Sequence, residues 1–381
     1  MNIVIIGLGM MGQAIAHDLY KHSNFEIIGV IDNNKSVLDF INKAVEKEKI
    51  IFHNFSVEKL NDVKKCLRNY DIAISAVPYR YNYELAKTAI ETKTHFLDLG
   101  GNNDIVKKER GLNKEAVKKG ATIVYDCGLA PGLTSVIVKE IVEDMDFVKN
   151  VKIRVGGLPI NPKPPLNYQI VFSANGLINE YIEKAIVLNN GKIIKKESMT
   201  ELEKISFPKP FGEMEAFLTS GGCSTLPYTY KDKIGYLDYK TIRYPGHCEI
   251  FKTLLDIGLA SEKSVDLGNK IIVPRDLLIT YLKQKLPSNE KDVVLLKVVS
   301  ICMKNGKKID LEYNMIDYYD DKNNITSMMR TTGYPTSIIA QMIENGIINK
   351  SGVFGCEEIV PCHPFFKELE KRDIKIKKDI L

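Results

Sequence analysis

Several signatures of other protein classes are missing from this sequence. No stretch approaches the roughly 18 consecutive apolar residues of a membrane span. No charged segment followed by an apolar run precedes the first strand-like stretch, as a secretory signal requires. Lysine and arginine outnumber aspartate and glutamate by only 53 to 48, and this net charge of +5 forms no basic stripe. We therefore expect a cytoplasmic protein that binds neither a membrane nor nucleic acid.

The cysteines also lack a recognisable pattern. Their number, seven, is odd, and no two are spaced as Cys-x-x-Cys, which argues against a disulfide framework. Cys356, Cys362 and His363 lie close together in the sequence, but no fourth ligand follows at a zinc-like spacing. We expect no metal site.

The 381 residues, of which 44% are apolar, suit two domains. Within residues 1–128, short β-branched runs alternate with amphipathic stretches, the pattern of a doubly wound parallel sheet covered by helices on both faces. The strand-like runs are 2–7, 26–32, 50–53, 71–78, 94–100 and 121–127, and the helical stretches are 10–20, 35–46, 55–68, 81–92 and 104–119. The sequence thus predicts an α/β fold with a Rossmann-type dinucleotide-binding domain.

The alternation ends after a helical stretch at 133–145, and residues 129–330 indicate a second, α+β domain that binds substrate. Its predicted features are strands at 150–159, 166–173, 215–220 and 237–244, a rigid proline-rich loop at 159–165, and a hairpin at 293–319 that turns at Asn305-Gly306. A helix from Tyr334 to Glu344 follows. Pattern alone leaves open whether residues 331–381 return to the first domain.

A glycine-rich turn follows the first strand-like run. Gly7 suits the tight turn out of the strand, Gly9 the approach of backbone N–H groups to a pyrophosphate, and Gly12 close helix–strand packing. Asp32 ends the second run, where a carboxylate accepts bonds from ribose hydroxyls and repels a 2′-phosphate, which favours NAD over NADP. The alternative is a glycine-rich turn that binds no nucleotide. The predicted cofactor-binding residues here are Gly7, Gly9, Met10, Met11, Gly12 and Asp32.

Three further predicted strands end in small or acidic residues. Ala76, Val77 and Pro78 follow the fourth strand, beside the expected nicotinamide ribose, with a plain strand–helix turn as the alternative. Asp98 and Asp126 end the next two strands and precede glycines. Removal of hydride from an amine requires the neutral amine, and a nearby carboxylate could stabilise the developing cation. Both aspartates are therefore catalytic candidates, and the alternative is that they cap the following helices.

The second domain contains two polar segments. Arg243 stands at a strand end, where its planar guanidinium could bind a substrate carboxylate, and His247 follows, where it could bind substrate or titrate near neutral pH. A surface ion pair and a structural histidine are the alternatives. Ser220 lies in a turn rich in glycine and hydroxyl groups that could bind a carboxylate through its N–H groups, or could be a plain polar loop.

These motifs, in this order and over nearly the whole chain, resemble the saccharopine dehydrogenase-like superfamily, and within it the lysine 6-dehydrogenases most. The matching segments are Gly7-x-Gly-x-x-Gly, Lys87-Thr-Ala-Ile-Glu, Asp98-Leu-Gly-Gly, Asp126-x-Gly128-Leu-Ala-Pro-Gly, Gly156-Gly-Leu-Pro, Pro164-Pro-Leu-x-Tyr168, Glu180-Tyr181, Thr219-Ser-Gly-Gly-x-Ser-Thr-Leu, Lys240-Thr-Ile-Arg-Tyr-x-Gly-His247 and Arg330-Thr-Thr.

The resemblance implies that C-terminal helices complete the nucleotide domain, and that the second domain forms a homodimer. It also implies that Arg243 binds a substrate carboxylate, with Tyr168, Ser220 and His247 nearby, and that Gly128 flanks the nicotinamide. The saccharopine-forming and carboxynorspermidine enzymes carry Asp-Pro-Gly where this chain has Ala130-Pro-Gly.

We therefore expect an NAD-dependent dehydrogenase that oxidises the ε-amino group of L-lysine. Two alternatives stay open: an NADPH-dependent reductive condensation of the saccharopine or carboxynorspermidine type, and a non-catalytic NAD-binding regulatory protein. Asp32 and Ala130 favour the lysine reaction over the condensation.

Overall fold

The computed structural model describes residues 1–37, 49–288 and 290–381 of the chain. Contacts between these residues divide the chain into two units. Unit 1 comprises Met1–Glu143, Ser224–Leu226 and Met329–Ile374, and unit 2 comprises Asp144–Cys223, Pro227–Met328 and Lys375–Leu381. No helix in the described ranges is long and apolar enough to cross a membrane.

The helices and strands below carry our own labels. The described strands are β1 (Asn2–Ile6), β2 (Ile27–Asp32), β3 (Ile50–Asn54), β4 (Ile72–Ser75), β5 (His95–Asp98), β6 (Thr122–Tyr125), β7 (Phe147–Pro159), β8 (Ala185–Asn189), β9 (Lys192–Lys196), β10 (Glu203–Phe207), β11 (Gly212–Leu218), β12 (Ile234–Arg243), β13 (Val265–Asp266), β14 (Ile271–Ile272), β15 (Asp292–Lys304), β16 (Lys307–Tyr318), β17 (Gly352–Gly355) and β18 (Lys377–Ile380). The described helices are α1 (Met10–His22), α2 (Leu60–Leu67), α3 (Asn82–Thr92), α4 (Asn103–Gly111), α5 (Asn113–Lys119), α6 (Thr134–Asp144), α7 (Ala174–Ile182), α8 (Leu226–Thr229), α9 (His247–Asp256), α10 (Pro274–Lys285), α11 (Ser327–Glu344), α12 (Cys356–Ile359) and α13 (Cys362–Lys371).

Unit 1 contains a parallel sheet, which has seven strands in the described residues, in the order β17-β6-β5-β4-β1-β2-β3. The central strands are continuous apolar runs because helices cover both faces of such a sheet, and every residue of β4 and β6 is buried. The predicted α/β fold is confirmed. The stretch predicted as one helix at 104–119 is two helices, α4 and α5, and most of the one predicted at 35–46 lies outside the described residues.

The C-terminal part of the chain contributes to unit 1. Strand β17, which the sequence pattern did not indicate, pairs in parallel with β6. Arg372 forms a buried ion pair of 2.6 Å with Asp18 of α1, and the Ser337 hydroxyl donates to the other oxygen of the same carboxylate at 2.7 Å. These bonds join the C-terminal helices to the first helix of unit 1.

The boundaries of the units differ from the predicted ones at three places, one of which is the short segment Ser224–Leu226, predicted with the second domain but part of unit 1. Helix α6, predicted to belong to the second domain, belongs to unit 1 up to Glu143, where its apolar side chains Val136, Ile137 and Ile141 are fully buried. The end of the chain, predicted with the first domain, supplies β18 to unit 2, because the N–H and C=O groups of β16 accept a further antiparallel strand there.

Unit 2 is built on a mixed sheet of nine strands in the described part of the chain. Seven lie in the order β10-β11-β12-β7-β15-β16-β18, and β8 joins β12 and β9 outside this path. The predicted hairpin is confirmed as β15 and β16, paired from Val293–Tyr318 to Lys304–Lys307 around Asn305-Gly306. Both turn residues have positive φ, 53° and 72°, as a two-residue turn of this type requires.

The strand predicted at residues 166–173 is wrong. These residues form turns and irregular structure before α7. Leu166, Tyr168 and Val171 are all buried in one apolar cluster, but at intervals that do not alternate between two faces of a sheet. The side chain of Ser173 then accepts a hydrogen bond from the N–H of Gly176 at 3.4 Å and begins the helix.

Candidate active site

The glycine turn between β1 and α1 has the shape that a dinucleotide site needs. Gly7 has φ +93°, and a Cβ on it would lie 2.6 Å from Cγ1 of Val77. A Cβ on Gly12 would overlap the carbonyl oxygen of Gly7. At Gly9, by contrast, a Cβ would meet no heavy atom within 4 Å. Packing therefore explains two of the glycines, whereas Gly9 leaves open space at the N-terminus of α1, where a phosphate can approach the backbone N–H groups of Met10 and Met11.

Asp32 is fixed beside this turn at the end of β2. Its Oδ2 accepts the N–H of Leu8 at 2.7 Å, and its Oδ1 accepts the N–H of Asn34 at 2.8 Å. Each carboxylate oxygen accepts one of these bonds and keeps further acceptor capacity for a ribose hydroxyl. No ion pair of Asp32 occurs among the described residues, so its negative charge is not neutralised by a lysine or arginine.

The other predicted cofactor residues lie at the same edge of the sheet. The Ala76 N–H donates to the carbonyl of Ile6 at 2.8 Å, which holds the turn after β4 against the end of β1. Val77 contacts the Gly7 position as described, and Pro78 is exposed. Gly128 follows β6 and is buried; a Cβ there would lie 3.3 Å from a methyl carbon of Thr332. The structure brings this whole set together within unit 1, and the residues fit a nicotinamide dinucleotide.

Asp98 and Asp126 follow β5 and β6 and are joined by backbone contacts. Oδ1 of Asp98 accepts the N–H of Gly100 at 2.6 Å and that of Asp126 at 3.3 Å. The carboxylate of Asp126 accepts the hydroxyl of Ser224. Helix α4 is capped by Asn102, whose side chain accepts two backbone N–H groups, so the capping role considered for Asp98 is wrong.

A third buried acid, Glu109 of α4, completes this cluster. Burial raises the pKa of Asp98 to about 6 and that of Asp126 well above its usual range. Burial together with the two aspartates raises the pKa of Glu109 to about 11, so Glu109 keeps its proton at neutral pH. Oδ2 of Asp98 has no N–H donor among the described residues, and the Glu109 carboxyl can donate to it.

Sequence reasoning missed Glu109 because it lies in the charged run Lys-Lys-Glu-Arg, which is typical of a solvent-exposed helix face. Its spacing of three from the buried Val106 was the signal that it shares the inner face of the helix.

Arg243, at the end of β12 in unit 2, is only 2% exposed. Its Nε donates to the hydroxyl oxygen of Tyr181 at 2.8 Å and its Nη1 to the carbonyl of Ile242 at 2.9 Å, and the guanidinium lies 4.7 Å from the ring centre of Tyr168. Nη2 has no hydrogen-bond partner, and the guanidinium no ion-pair partner, within the described ranges. This buried cation is therefore held by neutral groups alone and is not the surface ion pair considered above.

His247 does not titrate near neutral pH, and that part of the prediction is wrong. Its Nδ1 lies 2.9 Å from the carbonyl oxygen of Leu166 and its Nε2 lies 3.1 Å from the Tyr181 hydroxyl. Burial, and then the charge of Arg243, lower the pKa of His247 to about 3. The neutral ring thus donates to Leu166 and accepts from Tyr181, so both nitrogens are used inside the protein, and the ring orients the hydroxyl that holds Arg243.

Ser220 lies close to this arrangement on the chain but is bonded to a different helix. Its N–H donates to the carbonyl of Glu180 at 2.9 Å, and its hydroxyl donates to the carbonyl of Asn179 at 3.4 Å. The structure therefore brings Tyr168, Arg243 and His247 into direct contact and attaches Ser220 to the last turns of α7.

Glu180 is the residue of this region that the sequence reasoning overlooked. It is half-buried, and its carboxylate has no hydrogen-bond or ion-pair partner in the part of the chain that the structure describes. Burial raises the pKa of Glu180 to about 7, while Arg243 opposes that rise. The sequence marked Glu180 only as part of the matching segment Glu180-Tyr181, and its burial follows from packing alone.

Two family models cover nearly the whole chain. Residues 3–124 match the saccharopine dehydrogenase NADP binding domain, and residues 128–374 match the saccharopine dehydrogenase C-terminal domain. The chain belongs to the saccharopine dehydrogenase family. The predicted superfamily is thus confirmed, and with it an oxidoreductase that carries a nicotinamide-dinucleotide-binding domain.

The following relatives share 21–22% of their residues with this chain. It is 22% identical to the Schizosaccharomyces pombe saccharopine dehydrogenase [NADP(+), L-glutamate-forming], over 100% of this chain and 99% of that protein. It is 21% identical to the mitochondrial α-aminoadipic semialdehyde synthase of Rattus norvegicus over 97% of this chain, but it spans only 46% of that longer protein. The structure of apo saccharopine dehydrogenase (L-Glu forming) from Saccharomyces cerevisiae shares the fold with a TM-score of 0.81 at 21% identity, over 100% of this chain and 99% of that one.

Proposed function

We propose that this member of the saccharopine dehydrogenase family is an NAD-dependent L-lysine 6-dehydrogenase. L-Lysine, NAD⁺ and water would give 2-aminoadipate 6-semialdehyde, ammonia, NADH and a proton, and the semialdehyde would cyclise to 1-piperideine-6-carboxylate. The observation that carries the proposal is the buried guanidinium of Arg243, which has no carboxylate partner among the described residues. A buried charge is costly unless it is paired, and the carboxylate of an amino acid would pair it.

The number of buried cations in unit 2 that lack a carboxylate partner favours a substrate with one amino-acid head. Three other buried cations of unit 2 have carboxylate partners: Arg154 pairs with Asp238, Lys240 with Glu203, and Arg275 with Glu262. Saccharopine carries three carboxylates, whereas lysine carries one. Within the described part of unit 2, one buried cation without a partner therefore supports lysine. Ala130, found where the resemblance places an aspartate in saccharopine-forming enzymes, also supports it.

The acids of unit 1 would serve the reacting amine. A bound nicotinamide dinucleotide supplies the hydride acceptor for the ε-carbon. Asp98, with a pKa of about 6, is ionised at the alkaline pH where lysine has a neutral ε-amine, and its carboxylate would stabilise the positive charge that develops on nitrogen. Glu109, with a pKa of about 11, would hold its proton and fix the second oxygen of Asp98. Burial and then the charge of Asp98 raise the pKa of Asp126 well above its usual range, so we propose that Asp126 acts as the acid/base group that holds or exchanges a proton beside Asp98.

NAD rather than NADP is the cofactor that Asp32 supports. Its carboxylate beside the glycine turn would accept ribose hydroxyls and repel a 2′-phosphate. The Schizosaccharomyces pombe relative carries NADP(+) in its name, so the cofactor preference of this chain is a sharp difference to test. We expect kcat/KM to be higher with NAD, and Asp32→Ser to lower the preference by roughly tenfold or more, since one charge repulsion is removed. Equal or better kcat/KM of the wild type with NADP would contradict the assignment.

The reaction is tested by NADH absorbance with L-lysine and with saccharopine, each with NAD and NADP. We expect turnover with lysine and NAD that increases with pH and peaks at roughly pH 9–10, because the free ε-ammonium has a pKa of about 10.4 and must lose its proton. Asp98→Asn should lower kcat and leave the affinity for NAD nearly unchanged.

Turnover of saccharopine but not lysine would support the second candidate, a saccharopine dehydrogenase of the type named for the Schizosaccharomyces pombe relative, which matches the chain over its full length. Binding of NAD without turnover of any amine would support the regulatory alternative.

A further inference from the structure

We propose that Glu180 binds the α-ammonium group of the amino-acid substrate, so that Glu180 and Arg243 together recognise the zwitterionic head. This inference rests on the proposed function in that it concerns the same substrate. It assigns a role to a residue that lies outside the glycine turn, the acid cluster and the predicted carboxylate site.

The position of Glu180 is fixed relative to Arg243 through the neighbouring residue Tyr181. Glu180 directly precedes Tyr181, whose hydroxyl accepts Nε of Arg243 at 2.8 Å. Its carbonyl accepts the N–H of Ser220 at 2.9 Å. The first bond holds the end of α7 against the end of β12, and the second holds it against the turn after β11. Glu180 is therefore carried by a fixed helix rather than by a loop.

The two charges are close but not paired with each other. Arg243 and Glu180 each influence the pKa of the other, so they lie within Coulombic range, yet no direct ion pair joins them in the described structure. Two donors of Arg243 are bound to Tyr181 and to the Ile242 carbonyl, which fixes the guanidinium in place. A half-buried carboxylate and a buried guanidinium that both lack an opposite partner cost free energy unless a ligand completes them.

An amino-acid head has the complementary charges. Its carboxylate and ammonium are attached to the same carbon, and a zwitterion between the two side chains would place the carboxylate at Arg243 and the ammonium at Glu180. The other titratable groups that face Glu180 are Glu183, Tyr168, Tyr181 and Tyr239, which bring no further positive charge. The ammonium of a ligand would supply that charge and three hydrogen-bond donors.

The test uses ligands that present the head without the reacting amine. L-2-Aminohexanoate has the carboxylate and the α-ammonium, whereas hexanoate has only the carboxylate, and neither can be oxidised at an ε-amine. Their dissociation constants are measured by calorimetry on the full chain, with wild type, Glu180→Gln, Arg243→Met and the control Glu249→Gln, an exposed acid in the first turn of α9.

We expect Glu180→Gln to raise the dissociation constant of L-2-aminohexanoate roughly 10- to 100-fold, because a hydrogen bond between charged groups is lost. The dissociation constant of hexanoate should stay within about twofold of the wild-type value. Arg243→Met should weaken the binding of both ligands, and Glu249→Gln should change the binding of neither. Glu180→Asp, which keeps the charge on a shorter side chain, should recover part of the loss. A thermal melt verifies that each variant is folded.

Three outcomes would overturn the inference. Glu180→Gln could weaken the binding of both ligands equally, it could weaken the binding of neither, or the wild type could bind neither ligand. The failure of this inference is separable from that of the proposed function. If the ligands follow the expected pattern but lysine yields no NADH, the head site stands and the reaction is another one. If lysine is oxidised and Glu180→Gln raises its KM no more than that of 6-aminohexanoate, the reaction stands and the role of Glu180 is wrong.

Discussion

Two arginines of the unit 2 sheet, Arg154 on β7 and Arg243 on β12, are each only 2% exposed, yet their surroundings differ completely. Arg154 donates to both oxygens of Asp238, at 2.8 and 3.1 Å, and also bonds Glu203. Arg243 has only neutral partners among the described residues. Arg154 is thus neutralised within the protein, whereas no carboxylate among the described residues neutralises Arg243, which we propose to bind a substrate anion.

The contrast shows that burial alone does not identify a functional charge. A buried guanidinium that binds a carboxylate through two hydrogen bonds has a structural role, because this ion pair offsets the free-energy cost of removing the charge from water. One that is equally buried and is oriented by a tyrosine, a carbonyl and a ring, without a carboxylate, is a candidate for ligand binding. The following predictions test this difference, beginning with the largest effect.

Arg154→Met should lower the free energy of unfolding by about 3–5 kcal/mol, because it leaves Asp238 buried without its partner. Urea unfolding followed by circular dichroism measures this change. Lys152→Met, on the same strand but exposed, is the matched control and should have little effect. Unchanged stability of Arg154→Met would remove the distinction between the two arginines.

Arg243→Met should lower kcat/KM for lysine roughly 30-fold or more, equivalent to about 2 kcal/mol, mainly through KM, since it removes the cation that we propose pairs with the substrate carboxylate. Its stability should fall much less than that of Arg154→Met, because no buried carboxylate loses its partner. Arg243→Lys should recover only part of the activity, since an ammonium cannot reproduce the planar guanidinium. Steady-state kinetics with lysine and with NAD separate the two KM values, and unchanged lysine kinetics would exclude Arg243 from the site.

The pH dependence of stability should reveal the charge of Arg243, because that charge helps to lower the pKa of His247. The pKa of His247 is about 3 in the folded protein and about 6.5 in the unfolded chain, so below pH 6.5 only the unfolded chain gains the proton. Stability is therefore lost as pH falls from about 6.5 towards 3, by at most about 1.4 kcal/mol per pH unit from this group.

Arg243→Met removes one cause of the lowered pKa, so it should lose less stability than wild type between pH 6 and pH 4, and His247→Gln should lose less still. Thermal melts across this range, with Lys152→Met as control, make the comparison. Groups that do not interact with Arg243, such as Asp98, contribute equally to each protein and cancel in the differences. Glu180, whose raised pKa of about 7 is opposed by Arg243, is already largely protonated below pH 6 in the folded wild type and more so in Arg243→Met. If stability depended on pH in the same way in wild type and Arg243→Met, the charge of Arg243 would be neutralised within the protein, contrary to the expectation.

Much of unit 1 could be predicted from the sequence because its signals are local. The period of the apolar runs indicated six of the strands, and Gly7 and Asp32 were found by their spacing. Unit 2 was harder, because Leu166 to Val171 are buried in an irregular segment whose apolar composition imitates a strand. Glu109 and Glu180 were missed for a related reason, since a charged residue in a helix is usually exposed and only packing shows that these two are not.

The sequence by itself determined the α/β fold, the glycine turn and Asp32, and the residue types at the strand ends, because each depends on neighbours within a few positions. The tertiary structure alone decided that β17 joins the first sheet and β18 the second, since strand pairing joins residues far apart in the chain. It also decided that His247 is neutral, that Arg154 has carboxylate partners and that Arg243 has none among the described residues. The charge and pKa of a side chain depend on what surrounds it in space, and spacing along the sequence does not encode those surroundings.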